Sequence, residues 1–369
     1  MKRSVAMCVL IVLAVFFMSN RTVDKTSGNG QTDGPYVIYK NDKVYTYSIV
    51  EDNGTYKLKT DSTLQSQKES IRLTVATDKE DLSFEVALKK ELQNEKTDFS
   101  GVNKMFVVSD IEGEFKAFRQ LLQGNNVIDE KLNWTFGDGH LVLTGDFVDR
   151  GNLVTEVLWL IYSLEDKAKA AGGYVHFVLG NHEIMNLNND LRYVHAKYMQ
   201  SASLMNETYF NLYSNQTELG RWLRTKNVTE KIGNILFMHA GISDVVNYME
   251  LPVNRINKLV RPYYGDTTYE YKDPKVEILY SELGPFWYRG YYGKQKPSIT
   301  QIDSTLSFYR VKHIATGHTV IADTISVLFN GKLINTDVHH AKGHSEALLI
   351  EGKKFYRVGS NGEKFLILE

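Results

Sequence analysis

The sequence predicts an α/β fold preceded by a smaller β-rich region, and three observations carry that expectation. Between residues 104 and 316, five short apolar runs (MFVVS, LVLT, YVHFVL, ILFM and HIAT) alternate with longer amphipathic stretches. That is the pattern of βαβ units with buried strands. Residues 36–90 instead alternate with period two, as in YVIYKNDKVYTYSIV, YKLK, IRLTVAT and LSFEVAL, with Asn-Asp and Asp-Asn-Gly breaks that read as turns of an antiparallel β segment. The tail (ISVLFNGKLINTDV, SEALLIEGKKFYRV and KFLILE) returns to hairpin-like β.

Each element follows from local pattern. EFKAFRQLLQ, LVTEVLWLIYSLEDKAKAA and LRYVHAKYMQSASLMNETYFNLY carry helical spacing, and ALKKELQNEK reads as a short helix between the two regions. The boundaries expected are 1–20 for a targeting segment, 21–35 for a polar, Gly-rich linker, 36–100 for a β-rich accessory region and 101–369 for the main domain. Lys2 and Arg3 precede an unbroken apolar run from Val5 to Met18. This resembles a secretory signal more than a membrane span of about 20 residues. Export is therefore expected, to the periplasm or medium, or anchored through this segment. Cys8 is the only cysteine, so no intramolecular disulfide is expected. A net charge of −1 gives no global field for nucleic acid or an anionic membrane. Any membrane contact is expected only through the first segment.

The chemistry lies in what ends the strands. MFVVS is followed by Asp110, LVLTG by Asp146, YVHFVLG by Asn181-His182-Glu183, ILFM by His239 and HIATG by His318. Ligands of open α/β sheets bind beyond the carboxyl ends of the strands, so the five ends point into one crevice. One Asp after a strand is an ordinary helix cap, but five metal-capable ends in succession are not. Carboxylate, amide oxygen and imidazole together suit divalent Mn, Fe or Zn better than Ca. Asp146 is placed to bridge two ions, which would clamp an in-line phosphoryl displacement.

In TGDFVDRGN, Asp149 is positioned to orient His182, and Arg150 offers a planar fork to phosphate oxygens. His182 is then the proton donor to the leaving oxygen. Arg289 in GPFWYRGYYG reads as a second phosphate clamp, or as a surface arginine packed on Trp287.

GDFVDRG, GNHE, HAG and TGHT resemble the calcineurin-like metallophosphoesterases, phosphoprotein phosphatase branch. GNHEIMNLNNDLRY, WYRGYY and ATGHT are most similar to the Shewanella-like protein phosphatases. The resemblance spans residues 104–350. It implies a four-layer α-β-β-α sandwich and hydrolysis of phosphomonoesters, in phosphoproteins or small esters, by a metal-bound hydroxide. It implies Asp110 and Asp146 at a first metal, and Asp146, Asn181, His239 and His318 at a second. His182 with Asp149 becomes the acid pair, and Arg150 and Arg289 grip the phosphate.

One position departs. The family reads Gly-Asp-x-His-Gly where this chain has Ser109-Asp110-Ile111-Glu112-Gly113. Glu112 is then a carboxylate ligand favouring Mn or Mg over Zn, or leaves a weak first site, or points away as a helix first-turn acid. Of the candidate ions Mn, Fe, Zn and Mg, Mn is favoured. His339, His340 and His344 follow another strand and are placed to replace the missing histidine, or to line a solvated loop. His140, His176 and His313 read as structural, and His195 as a possible cleft residue. Two other functions remain open: a diadenosine-tetraphosphatase-like nucleotide hydrolase, which needs a deeper cleft for a base, and a non-catalytic phosphate-binding module; Tyr263, Tyr264, Tyr291 and Tyr292 serve either hydrolase or simply pack the core.

Overall fold

The computed structural model describes residues 22–23, 31–293 and 297–369. The expected targeting segment 1–20 lies outside them. Among the described residues no helix is long and apolar enough to cross a membrane.

Strands β1 (Thr22–Val23), β2 (Asp33–Lys40), β3 (Lys43–Asp52) and β4 (Thr55–Leu64) form an antiparallel sheet in the order β1-β4-β3-β2. Strands β5 (Arg72–Ala76) and β6 (Ser83–Ala87) form a separate hairpin. The expected linker thus contains strand residues at 22–23 and 33–35. ALKKELQNEK is not a helix but an irregular segment leading out of β6. Tertiary bonds decide its form. Lys226 binds Glu95 at 2.8 Å, the Glu95 N–H donates to Thr225 at 3.1 Å, and the Asn227 amide donates to the Lys96 carbonyl at 2.8 Å.

The main body holds two six-stranded sheets. It begins with β7 (Asp98–Phe99) and β8 (Lys104–Val108), and continues through β9 (His140–Leu143), β10 (Tyr174–Phe177), β11 (Thr229–Ile232), β12 (Ile235–Met238) and β13 (His313–Thr316). It ends with β14 (Ser326–Leu328), β15 (Leu333–Asn335), β16 (Glu346–Glu351), β17 (Lys354–Gly359) and β18 (Lys364–Leu368). The orders are β10-β9-β8-β16-β17-β18 and β14-β15-β13-β12-β11-β7. The five apolar runs are β8, β9, β10, β12 and β13. The first three run parallel in one sheet, and the last two run parallel in the other.

Alternation along each strand shows the layers. Met105 and Val107 face the inter-sheet core with Val142, Ile235 and Phe237, while Phe106 and Val108 face the opposite way into the larger core with Leu141, Leu236 and Met238. Both faces are buried, which is why these strands read as continuous apolar runs. Helices α1 (Phe115–Gly124), α2 (Val154–Ala170) and α3 (Asn181–Leu187) follow β8, β9 and β10. The LRYVHAKYMQ stretch is broken into helices 196–204 and 209–212, with Asn206 at positive φ between them.

The front region shares the larger core rather than standing apart. Trp159 on α2 donates to the Pro35 carbonyl at 2.8 Å, Tyr39 and Tyr162 both donate to Glu218, and Arg119 on α1 grips Asp78 through two nitrogens. The change near residue 100 is one of topology, not of packing.

Candidate metal centre and phosphate site

Five strands of two sheets end at one crevice, a cavity of about 390 Å³. Its walls include Asp110, Glu112, Asp146, Arg150, Asn181, His182, Arg289 and His318. The turns leaving the strands are tight enough to force unusual backbone. Asp110, Glu112, Asp146, Asp149, Arg150 and His318 all have φ between +49° and +71°. Each left-handed residue costs roughly 1 kcal/mol or more, and such strain concentrates where side-chain aim matters. Gly180 is required by close approach: a Cβ there would overlap Asp146 Oδ1.

Glu183 holds the turns together. Its buried carboxylate accepts the backbone N–H groups of Asp146 (2.9 Å), Phe147 (2.7 Å), Val148 (3.3 Å) and Gly180 (2.8 Å). Burial and the nearby Asp146 charge push it up to about 7, against these four donors. The GNHE string displays this residue, but its positioning role depends on folded geometry.

His239 defines the centre. Its Nδ1 lies 2.8 Å from the Thr144 carbonyl, which only an N–H can satisfy, so Nδ1 is the donor. Its Nε2 then faces Asn181 Oδ1 at 2.9 Å, His318 Nδ1 at 3.0 Å and Asp146 Oδ2 at 3.1 Å. Two acceptor oxygens and a second ring nitrogen crowd an atom that carries at most one proton. Burial disfavours a charged ring, yet the Asp146 carboxylate lifts His239 to about 10. The field that favours a proton there favours any cation. Asp146, for its part, is held below the usual carboxylate range: burial raises it, but His239 and His182 outweigh burial. An amide oxygen, a carboxylate and two imidazoles fit a borderline divalent ion, so the donor set suits the metal the sequence implied.

A second convergence joins Glu112, Asp146 and His182, whose ligand-capable atoms lie within 4.8 Å of one another. Glu112 also contacts the Arg150 guanidinium directly. It therefore does not point away as a first-turn acid. Asp110 stands slightly apart: its Oδ2 meets the Ser109 hydroxyl and accepts the His318 N–H at 3.1 Å. Burial raises Asp110 to about 6, with His239 opposing and Asp146 reinforcing.

The acid pair assembles as expected in geometry. His182 Nδ1 is 2.6 Å from Asp149 Oδ2, and Asn186 donates to Asp149 Oδ1 at 2.7 Å. His182 Nε2 faces the cavity, 3.4 Å from Arg150 Nη2 and 3.8 Å from Asp146 Oδ2. Burial lowers its affinity for a proton, but Asp146 and Asp149 together raise it above the ordinary value. Arg289 is tied to the rim by donating to the His318 carbonyl at 2.7 Å and to Thr319 at 2.9 Å. It is exposed at the surface, yet these bonds hold it at the cavity.

The histidine loop does approach the site, and His339 and His340 line the cavity wall, but neither joins the two metal-capable clusters found among the described residues. His339 and His344 turn to Asp323 at 3.1 and 3.9 Å, and His340 Nδ1 meets the Ser345 hydroxyl at 3.2 Å. His195 caps a helix by accepting the Lys197 N–H, and is not a cleft residue. His140, His176 and His313 are bound in or beside strands: His140 to His176, His176 to Glu230, and His313 to the Gly331 carbonyl. Tyr264 and Tyr291 are buried, Tyr292 bonds Thr316, and Tyr263 packs on Tyr271 and Tyr280, so none of the four lines the cavity. Sequence reading missed Asp337, 5% exposed in the cavity wall. It sits in the same NTDVHH string as the histidines that drew notice.

A sequence profile of calcineurin-like phosphoesterases matches residues 104–322. The crystal structure of a cold-active protein-tyrosine phosphatase from a psychrophilic Shewanella species is 36% identical. It covers 92% of this chain and all of its own, with a TM-score of 0.82. Shewanella-like protein phosphatase 2 of Arabidopsis thaliana is 25% identical, over 69% of this chain and 76% of its own length. A Schizosaccharomyces pombe protein is 30% identical over 226 residues, 58% of this chain and 66% of that one. The chain thus spans just under two-thirds of that relative.

Proposed function

The chain belongs to the calcineurin-like phosphoesterase family, and on that premise we propose that it hydrolyses phosphomonoesters of proteins, phosphotyrosine among them. The observation that carries this reading is His182, a buried imidazole with one nitrogen held by Asp149 and the other facing the cavity beside Arg150. A module that only bound phosphate would have no use for a poised proton donor.

Asp146, Asn181, His239 and His318 would hold one divalent ion, and Asp110, Glu112 and Asp146 a second. Mn is favoured by the carboxylate-rich set of Asp110, Glu112 and Asp146. When bound, such ions supply a hydroxide nucleophile and polarise the phosphoryl oxygens. Arg150 and Arg289 orient the ester by donating to its non-bridging oxygens. His182 delivers its Nε2 proton to the departing oxygen, while Asp149 keeps the ring in register and stabilises its charge. Glu183 keeps the loop carrying Asp146 and the loop carrying His182 at fixed separation.

Burial of Tyr264 and Tyr291, and the placement of Tyr263 and Tyr292 away from the cavity, leave no aromatic platform for a base among the four. This favours a phosphomonoesterase over a dinucleoside polyphosphate hydrolase. The test is turnover of a phosphotyrosine peptide against a dinucleoside tetraphosphate, by metal-stripped protein given Mn, Fe, Zn or Mg. Cleavage of the peptide alone is expected; cleavage of the nucleotide alone would replace this reading.

A further inference from the structure

Beside the proton donor stands an aromatic ring that the protein leaves partly uncovered. Tyr193 is 44% exposed, yet its ring centroid lies 5.0 Å from that of the buried His182. Its backbone carbonyl accepts the Arg150 N–H at 2.9 Å, which fixes Tyr193 to the turn carrying the phosphate-gripping arginine. Two guanidinium groups flank the ring, Arg150 at 5.4 Å and Arg192 at 5.7 Å from its centroid. Arg192 is itself held by Asp190 through contacts of 2.7 and 2.8 Å. Tyr193 is not among the residues lining the metal cavity, so it stands outside the place where phosphorus would sit.

The position of the leaving group follows from the acid. A donor must come within about 3 Å of the oxygen it protonates, so the bridging oxygen of a bound ester lies close to His182 Nε2. The next atoms of the leaving group lie one bond further out. In an alkyl ester they are a single carbon followed at once by main chain. In an aryl ester they are a flat ring several ångströms across, which reaches the neighbourhood of Tyr193. A half-exposed aromatic side chain there gains by contact with that ring, and rings 4.5–7 Å apart attract beyond their area burial.

We propose that Tyr193 is a specificity-determining residue, stacking on the ring of an aryl leaving group and biasing hydrolysis toward phosphotyrosine over phosphothreonine. The inference rests on the phosphomonoesterase reading and deepens it. Arg192 and Arg150 both lie against the Tyr193 ring, and Arg150 is also the residue assigned to the phosphate. Ring recognition and phosphate recognition therefore sit on two segments tied together by the bond from the Arg150 N–H to the Tyr193 carbonyl.

The test compares two peptides of identical flanking sequence, one carrying phosphotyrosine and one phosphothreonine, cleaved by Mn-loaded full-length protein. In Tyr193→Ala and Tyr193→Leu, the ratio of kcat/KM for phosphotyrosine over phosphothreonine is expected to fall about tenfold, mainly through KM. In Tyr193→Phe, which keeps the ring, the ratio is expected to stay within about twofold. An equal loss on both peptides would show that Tyr193 serves only to pack His182, and would overturn the proposal. So would an unchanged ratio in all three variants. Wild-type protein that cleaves neither peptide with any added metal overturns the phosphatase reading itself, and this inference with it.

Discussion

Asp146 Oδ2 and His239 Nε2 lie 3.1 Å apart, and they come from the ends of strands in two different sheets. The contact is the seam of the molecule. One residue follows β9, the other follows β12, and Asn181 and His318 close on the same point from β10 and β13. The site lies where strand ends of the two packed sheets converge, and the turns carrying Asp110, Asp146 and His318 have left-handed backbone there.

The proton donor gives a prediction that depends on the leaving group. His182→Asn should lower kcat on a phosphothreonine peptide by about 10²–10⁴. On p-nitrophenyl phosphate, whose leaving oxygen needs little help from a proton, the loss should be far smaller. Steady-state kinetics on both substrates checks it; equal losses would assign His182 a binding role instead.

The pH profile tests Asp149. Burial disfavours the His182 cation, but Asp146 and Asp149 hold its proton above the ordinary value. A general acid is active while protonated, so activity should fall as pH rises through that raised value. Asp149→Asn removes one of the two carboxylates. The alkaline limb of kcat should then move to lower pH, with a lower plateau. A limb that does not move would remove Asp149 from the acid pair.

Glu112 carries the chain's own departure. It contacts Arg150 and lies within reach of Asp146 and His182. Glu112→Gln should weaken Mn binding by roughly tenfold or more. It should also let metal-free protein bind inorganic phosphate more tightly, because Arg150 loses its competing carboxylate. Calorimetric titration of each ligand reads both effects. Unchanged Mn affinity would mean that Glu112 serves Arg150 alone.

Away from the site, His140, His176 and Glu230 form a hydrogen-bonded chain across the two sheets, with 2.7 Å steps. Burial, and then His176, push His140 down to about 4. The unfolded chain binds a proton near pH 6.5, so between those values it holds more protons than the folded one. Stability is therefore full above about pH 6.5 and lost as pH falls toward 4. Because the ring is only half-buried, we expect roughly 1–2 kcal/mol of loss after solvent screening. Thermal melts at pH 7 and 5 should show less acid sensitivity in His140→Asn than in wild type.

Much of this was legible in the sequence, for a physical reason. Strands buried on both faces read as unbroken apolar runs, and a polar residue ending such a run has few places to go but the sheet edge. Asp110, Asp146, Asn181, His239 and His318 were found that way. What stayed hidden depends on aim rather than address. Glu112 and Arg150 meet because both have left-handed backbone, which no local propensity announces. Asp337 was overshadowed by the histidines after it. Tyr193 lies in a helical-looking stretch that Asn206 and His195 break into shorter pieces. ALKKELQNEK has helical spacing, but Lys226 and Asn227 hold it in a non-helical path, a tertiary decision that overrides propensity.

The most direct test of the central claim is metal content per chain, measured on stripped and Mn-reloaded wild type and Asp146→Asn while each sample's hydrolysis of an aryl phosphate is followed. About two ions per wild-type chain are expected, with no activity without them, and loss of both ions and activity in Asp146→Asn. Full activity in metal-free protein, or an Asp146→Asn variant that holds its ions as tightly as wild type, would contradict it.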